Sequence, residues 1–141
     1  NMSWDSYIEN LIGHTKDSNG ECHGDKACII GLDGGAKWTT DGASNAYKLN
    51  PGECASIAGA FKSKNFTTFQ ASGILAEGVK YQFLREDDGK IVYGKKKDNG
   101  AITLQASKTA IVIAHCKEGC QQGNVNKGVS TIAEYLESLG M

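Results

Sequence analysis

The chain has 141 residues, a net charge of −1, 40% hydrophobic residues and 22% charged residues. That is ordinary composition for one globular domain, long enough to bury a core. The near-neutral balance argues against a dedicated nucleic-acid binder, and no apolar run approaches the roughly 20 residues of a membrane span. The N-terminus lacks the basic-then-apolar pattern of a secretory signal, so a cytoplasmic setting is expected. Asn1 stands ahead of Met2, and the domain is read as 2–141.

The first predicted element is a short helix. Ser3 suits an N-cap with Asp5 in the first turn, Trp4, Tyr7, Ile8 and Leu11 repeat at i, i+3, i+4, i+7, and Gly13 stops the pattern. His14–Lys26 reads as a polar, solvent-facing loop, longer than a usual connection. Ala27–Leu32 is a short apolar run expected as a buried strand. Asp33-Gly34-Gly35 signals a hairpin turn, and Ala36–Thr40 is expected to return as a strand carrying Trp38. Asn50-Pro51-x-Glu53 opens a second helix, with Cys54, Ile57, Ala58 and Phe61 as its apolar stripe. Phe66–Phe69 and Ile74–Leu75 read as short strand pieces around Gly73.

Val79–Arg85, Lys90–Gly94, Ala101–Ala106 and Thr109–Ala114 follow as four strands, the last expected at the centre of the sheet. Glu86–Gly89 is a tight turn, and Lys95–Gly100 a basic turn ending in the hairpin pair Asn99-Gly100. Cys120–Gly128 reads as loop. Val129, Ile132, Ala133 and Leu136 then form the stripe of a closing helix that ends at Gly140, with Tyr135 and Leu139 on its edge. If the two terminal helices pack side by side, Trp4, Tyr7 and Tyr135 form one aromatic surface. Consecutive hairpins with helices at both ends and in the middle predict an α+β domain, its antiparallel meander covered on both faces.

Five cysteines are present: Cys22, Cys28, Cys54, Cys116 and Cys120. Cys28 and Cys54 sit among apolar positions as buried thiols, and reduced cysteines are expected throughout. Cys116-x3-Cys120 beside His115 lacks the second ligand pair of a zinc site, so no metal and no cofactor are expected. There is no phosphate-binding glycine loop, and Gly31-x-x-Gly34-Gly35 lacks dinucleotide spacing. A binding module is the better reading than an enzyme. Two other classes stay open: a sensor or scaffold domain with a sheet flanked by helices, in which a central pocket is what matters, and a thiol enzyme built on Cys116 or Cys120 with His115.

Four stretches together carry a family resemblance. They are Ser3-Trp4-x-x-Tyr7 with Asn10-Leu11, Ala27-Cys28-Ile29-Ile30-Gly31 before Trp38, Gly94-Lys95-Lys96 before Gly100-Ala101-Ile102-Thr103, and Ala133-Glu134-Tyr135-Leu136 closing on Gly140-Met141. The chain from Met2 onward resembles profilin, the small actin-monomer-binding family, in an invertebrate form. The resemblance implies that the terminal helices share one face of the sheet and shorter helices cover the other. It implies a proline-rich ligand site at Trp4, Tyr7, Trp38, Tyr135 and Leu139. It implies an actin face at Lys80, Gln82, Arg85, Lys95, Lys96, Cys120, Gln121, Asn126, Lys127, Ser130 and Thr131. Phosphoinositide headgroups would meet Lys80, Arg85, Lys95, Lys96, Lys97 and Lys127. The implied partners are monomeric actin, formin-like elongation factors and phosphatidylinositol bisphosphate, with the chain itself a monomer at the cytoskeleton and cell cortex.

Overall fold

A computed structural model describes residues 3–141; Met2, where the expected domain begins, lies outside the described residues. In chain order the elements are α1 (Ser6–Gly13), β1 (Gly24–Gly31), α2 (Pro51–Ser63), α3 (Thr67–Ser72), β2 (Ile74–Ala76), β3 (Val79–Asp87), β4 (Ile91–Lys96), β5 (Gly100–Ala106), β6 (Ala110–Cys116) and α4 (Gln122–Ser138). The strands form one antiparallel sheet in the order β1-β6-β5-β4-β3-β2. The expected meander is present, lengthened by β2 at one end and closed by β1 at the other.

Side-chain size divides the two faces of the sheet. Along β6, Ala110, Val112, Ala114 and Cys116 point to one side and Ile111, Ile113 and His115 to the other. The first set, with Ala27 and Ala101, makes a shallow floor on which α1 and α4 lie through Ile8, Leu11, Val125, Val129, Ile132 and Leu136. The opposite face is thicker: Tyr47, Leu49, Ile57, Phe61, Phe66 and Phe69 pack on Ile74, Tyr81, Val92 and Leu104. α2 opens with the expected capping box, Asn50 and Glu53 bonding each other's backbone N–H. β6, expected at the centre, is interior and buried throughout, one strand in from the β1 edge.

Four local expectations are corrected, the largest at the last helix. Ser3 does not cap α1; Asp5 is the N-cap residue and makes no capping bond, because its carboxylate reaches Thr40 instead. Ala36–Thr40 is no strand: only Ile30↔Lys37 bridges it to β1, and the Thr39 hydroxyl, not a backbone carbonyl, receives the Ile29 N–H. Phe66–Phe69 is the start of α3, since the Asn65 carboxamide accepts the Thr67 N–H and sends Phe66 and Phe69 to the same buried side. The basic turn ends at Asn99-Gly100, with left-handed residues at Asp98 (φ 66°) and Gly100 (φ 86°). Gly100 is required twice over, since a Cβ there would lie 2.0 Å from the Cys116 carbonyl oxygen.

The largest correction concerns α4, which begins at Gln122, seven residues before the expected Val129. Gly123 and Asn124 are weak helix formers. Tertiary contacts override them: Val125 is fully buried, the Gln122 amide donates to the Ile102 carbonyl (3.0 Å), and the Asn126 carboxamide accepts the Thr103 hydroxyl (2.5 Å). This extra length brings Gly128 against α1. A Cβ at Gly128 would sit 2.8 Å from Thr15 Cγ2 and 2.9 Å from the Leu11 carbonyl oxygen. Gly128→Ala should therefore lower stability by about 1–3 kcal/mol through overpacking. Gly59→Ala on the open face of α2, where nothing lies within 4 Å, should raise it by roughly 0.5–1 kcal/mol. Urea unfolding of the two variants, with opposite signs expected, checks this pair.

Candidate functional site

The apolar stripe of α1 leaves Trp4 and Tyr7 half-buried at its rim, and that of α4 leaves Tyr135 and Leu139 about half exposed, at 49% and 52%. The segment after β1 adds Trp38, whose backbone N–H donates to the Ile29 carbonyl. These three pieces bring four rings into one row: Trp38 to Trp4 at 4.7 Å between centroids, Trp4 to Tyr7 at 5.3 Å, and Tyr7 to Tyr135 at 6.2 Å. The four aromatic residues expected at one site are thus in one row, while Leu139 is exposed one helical turn beyond Tyr135. Burial, then the neighbouring Tyr135, raises the Tyr7 hydroxyl above the ordinary tyrosine range, so it keeps its proton and can donate. The row is held at its far end by Asp5, which accepts the Thr40 hydroxyl (2.5 Å) and the Thr40 N–H (2.7 Å). These bonds hold the Asp5 carboxyl below its usual range. Residue patterning gave no sign of this clasp, because its halves lie 35 positions apart.

The second set of expected residues lies along β3, β4 and the start of α4. Gln82 pairs with Lys95, Lys95 with Ala101, and Ala101 with Cys116, so Gln82 and Lys95 face the α4 side of the sheet. The bulge between Phe83 and Arg85 turns Arg85 to that same side, opposite Tyr93. Arg85 is not free: it pairs with Asp87 (2.8 Å) and lies over the Tyr93 ring (4.4 Å). Lys96 follows Lys95 in the strand and points to the other face. On α4, Asn126 and Ser130 are tied to Thr103 and Gln105, whereas Lys127 and Thr131 are exposed. Gln121 is exposed at the entry to α4, and Cys120 beside it is half-buried. Lys80, Lys95, Lys96 and Lys97 line one groove of about 480 Å³ with Ser72 and Gln82. Arg85 and Lys127 do not line it, so the six expected headgroup contacts are not one cluster.

The histidines behave differently from the sequence reading. His115 and Cys116 lie on opposite faces of β6, which separates the imidazole from the Cys116 thiol. Burial pushes the Cys116 thiol up to about 11, and that of Cys28 further. His23, expected in a solvent-facing loop, is buried. Its Nε2 is 2.8 Å from Asp17 Oδ2, and its Nδ1 accepts the Gln121 N–H at 2.8 Å. Asp17, Glu21 and His23 hold three ligand-type atoms within 4.8 Å of one another. They do not fit a metal, because a ring bound through Nε2 would turn an Nδ1 proton toward the Gln121 N–H.

A family model described as Profilin matches residues 2–141. The chain is 71% identical over 140 residues to a profilin of Clypeaster japonicus and 64% identical over 140 residues to one of Suberites domuncula, each alignment covering 99% of this chain and 100% of the relative. Among solved structures, Acanthamoeba castellanii profilin IB matches with a TM-score of 0.80 at 30% identity, over 99% of this chain and 100% of that one. Mouse profilin IIa, solved in complex with a double repeat from the FH1 domain of mDia1, shares the fold with a TM-score of 0.70 at 24% identity, over 99% and 100%.

Thiol burial yields a direct check. In the native fold at neutral pH, Cys28 and Cys116 should resist iodoacetamide while Cys22 and Cys120, both partly exposed, react first. Peptide mass spectrometry after a timed pulse reads the order.

Proposed function

The chain belongs to the profilin family, non-enzymatic regulators that bind actin monomers, and on that footing we propose that two separate faces of this chain divide the work. The aromatic row binds proline-rich segments. A polyproline II helix is already extended and loses little entropy on docking, and its free carbonyls need donors. Trp4, Tyr7, Trp38 and Tyr135 supply ring faces, with Leu139 at the edge, and the protonated Tyr7 hydroxyl supplies a donor. The single observation that carries this reading is the continuity of the four rings across three chain segments. The mouse relative of the same fold was solved with an FH1 repeat; for this chain, formin-like elongation factors are the proposed class of partner.

The actin face is proposed on the α4 side of β3 and β4 and the start of α4. Lys80, Gln82, Arg85 and Lys95 would meet it from the sheet, and Cys120, Gln121, Asn126, Lys127, Ser130 and Thr131 from the helix and its entry. Lys96, on the opposite side of β4, is left to the groove it shares with Lys80, Lys95 and Lys97. That groove is the proposed place for a phosphoinositide headgroup, and since Lys80 and Lys95 belong to both surfaces, lipid and actin should compete. The proposed setting is the cytoplasm, at the actin cytoskeleton and the cell cortex. Among the described residues, no helix is long and apolar enough to cross a membrane.

Two experiments test these faces. Intrinsic tryptophan fluorescence titrated with poly-L-proline should saturate for the wild type and lose its response in Trp4→Ala and Tyr135→Ala; an unchanged response in both variants would remove the ligand from this row. Lys96→Glu should weaken sedimentation with vesicles containing phosphatidylinositol bisphosphate more than it weakens actin-monomer binding, and lipid binding should fall as salt rises. Equal losses on both ligands would contradict the separation of Lys96 from the actin face.

A further inference from the structure

His115 and His23 have partners of opposite kinds. The His115 ring lies between the edges of Tyr47 (5.8 Å) and Tyr81 (6.0 Å). Its Nδ1 is 2.6 Å from Asp25 Oδ1, and its Nε2 is 2.5 Å from the carbonyl oxygen of Asn99. Both partners are acceptors, so a ring that satisfies both must carry both protons. A neutral ring would set a bare lone pair against one oxygen. At His23 the Gln121 N–H can only donate, so Nδ1 must be bare, and Nε2 keeps the proton it gives to Asp17. One buried histidine is built for the imidazolium and the other for the neutral ring.

Each holds one part of the proposed actin face. His115 grips the turn that ends β4 and follows Lys95, and Gly100 N–H in that turn also donates to Glu118. His23 grips Gln121, where the chain enters α4, and its own carbonyl accepts the Lys117 N–H. We infer that His115 and His23 are positioning residues for the actin face, His115 by donating from both ring nitrogens to Asp25 and the Asn99 carbonyl, and His23 by accepting the Gln121 N–H on a bare Nδ1. This rests on the actin face proposed above.

The experiment is long-range ¹H–¹⁵N NMR on the full chain at neutral pH. His115 should show two protonated ring nitrogens, and His23 one protonated nitrogen at Nε2 and a bare Nδ1. A bare nitrogen on His115, or a bare Nε2 on His23, overturns the assignment. Actin-monomer affinity is then measured for the wild type, for His23→Asn, which keeps an acceptor near the Nδ1 position, and for His23→Leu, which has none, each checked as folded by circular dichroism. The leucine variant should bind about fivefold more weakly, the size of one lost hydrogen bond, and the asparagine variant like the wild type. Equal affinities in all three would overturn the link to actin while leaving the ring states to the NMR result. If none of them bound actin, the proposed actin face itself would fall, and the positioning role with it.

Discussion

Everything distinctive about this surface depends on how closely α4 approaches α1. The contact is made at Gly128, where a single added carbon would strike Thr15 and the Leu11 carbonyl. Below it the sheet offers Ala27, Ala101, Ala110 and Ala114, residues too short to hold a helix away. Small residues in the sheet and a glycine in the helix thus solve one packing problem from two sides. The outcome is that Tyr135 on α4 comes within 6.2 Å of Tyr7 on α1. An aromatic surface then spans two elements more than a hundred residues apart in the chain, and its exposed rings rest on a buried floor.

The two proposed faces differ in how they are held. The aromatic row is set by packing and by the Asp5–Thr40 clasp, whose carboxylate keeps its charge well into acid because its folded range is depressed. Stability from such a group is present above its unfolded pKa and is lost only as pH falls through the lower folded value. The polar face is held by buried histidines and by side chains of α4 reaching the sheet, as in Asn126 to Thr103 and Ser130 to Gln105.

The meander, the two helical layers and the aromatic row were legible in the sequence because each rests on a strong local signal: period-2 strands, a capping box at Asn50, and aromatic residues at the edge of an i, i+3, i+4 stripe. What was not legible depends on partners distant in the chain. The first turn of α4 contains Gly123 and Asn124, and nothing local reveals that Gln122 and Val125 will be fixed by β5 and the core. Thr39 reads as a strand residue until its hydroxyl is seen to replace the backbone partner of Ile29. His23 reads as a loop histidine until β6 leads the chain back to it and Gln121 is placed on its ring. The facing of the lysines was not legible either, since Lys95 and Lys96 are adjacent in sequence and point to opposite sides of one strand.

The central claim is that close packing of the terminal helices assembles the ligand surface. The most direct test is the affinity of Gly128→Ala for poly-L-proline, measured at a temperature where circular dichroism reports it still folded. Gly128 is buried and contributes no atom to the aromatic row. The account predicts that pushing α4 away from α1 weakens binding by about tenfold, the equivalent of roughly 1.4 kcal/mol. Wild-type affinity in a folded Gly128→Ala chain would contradict it.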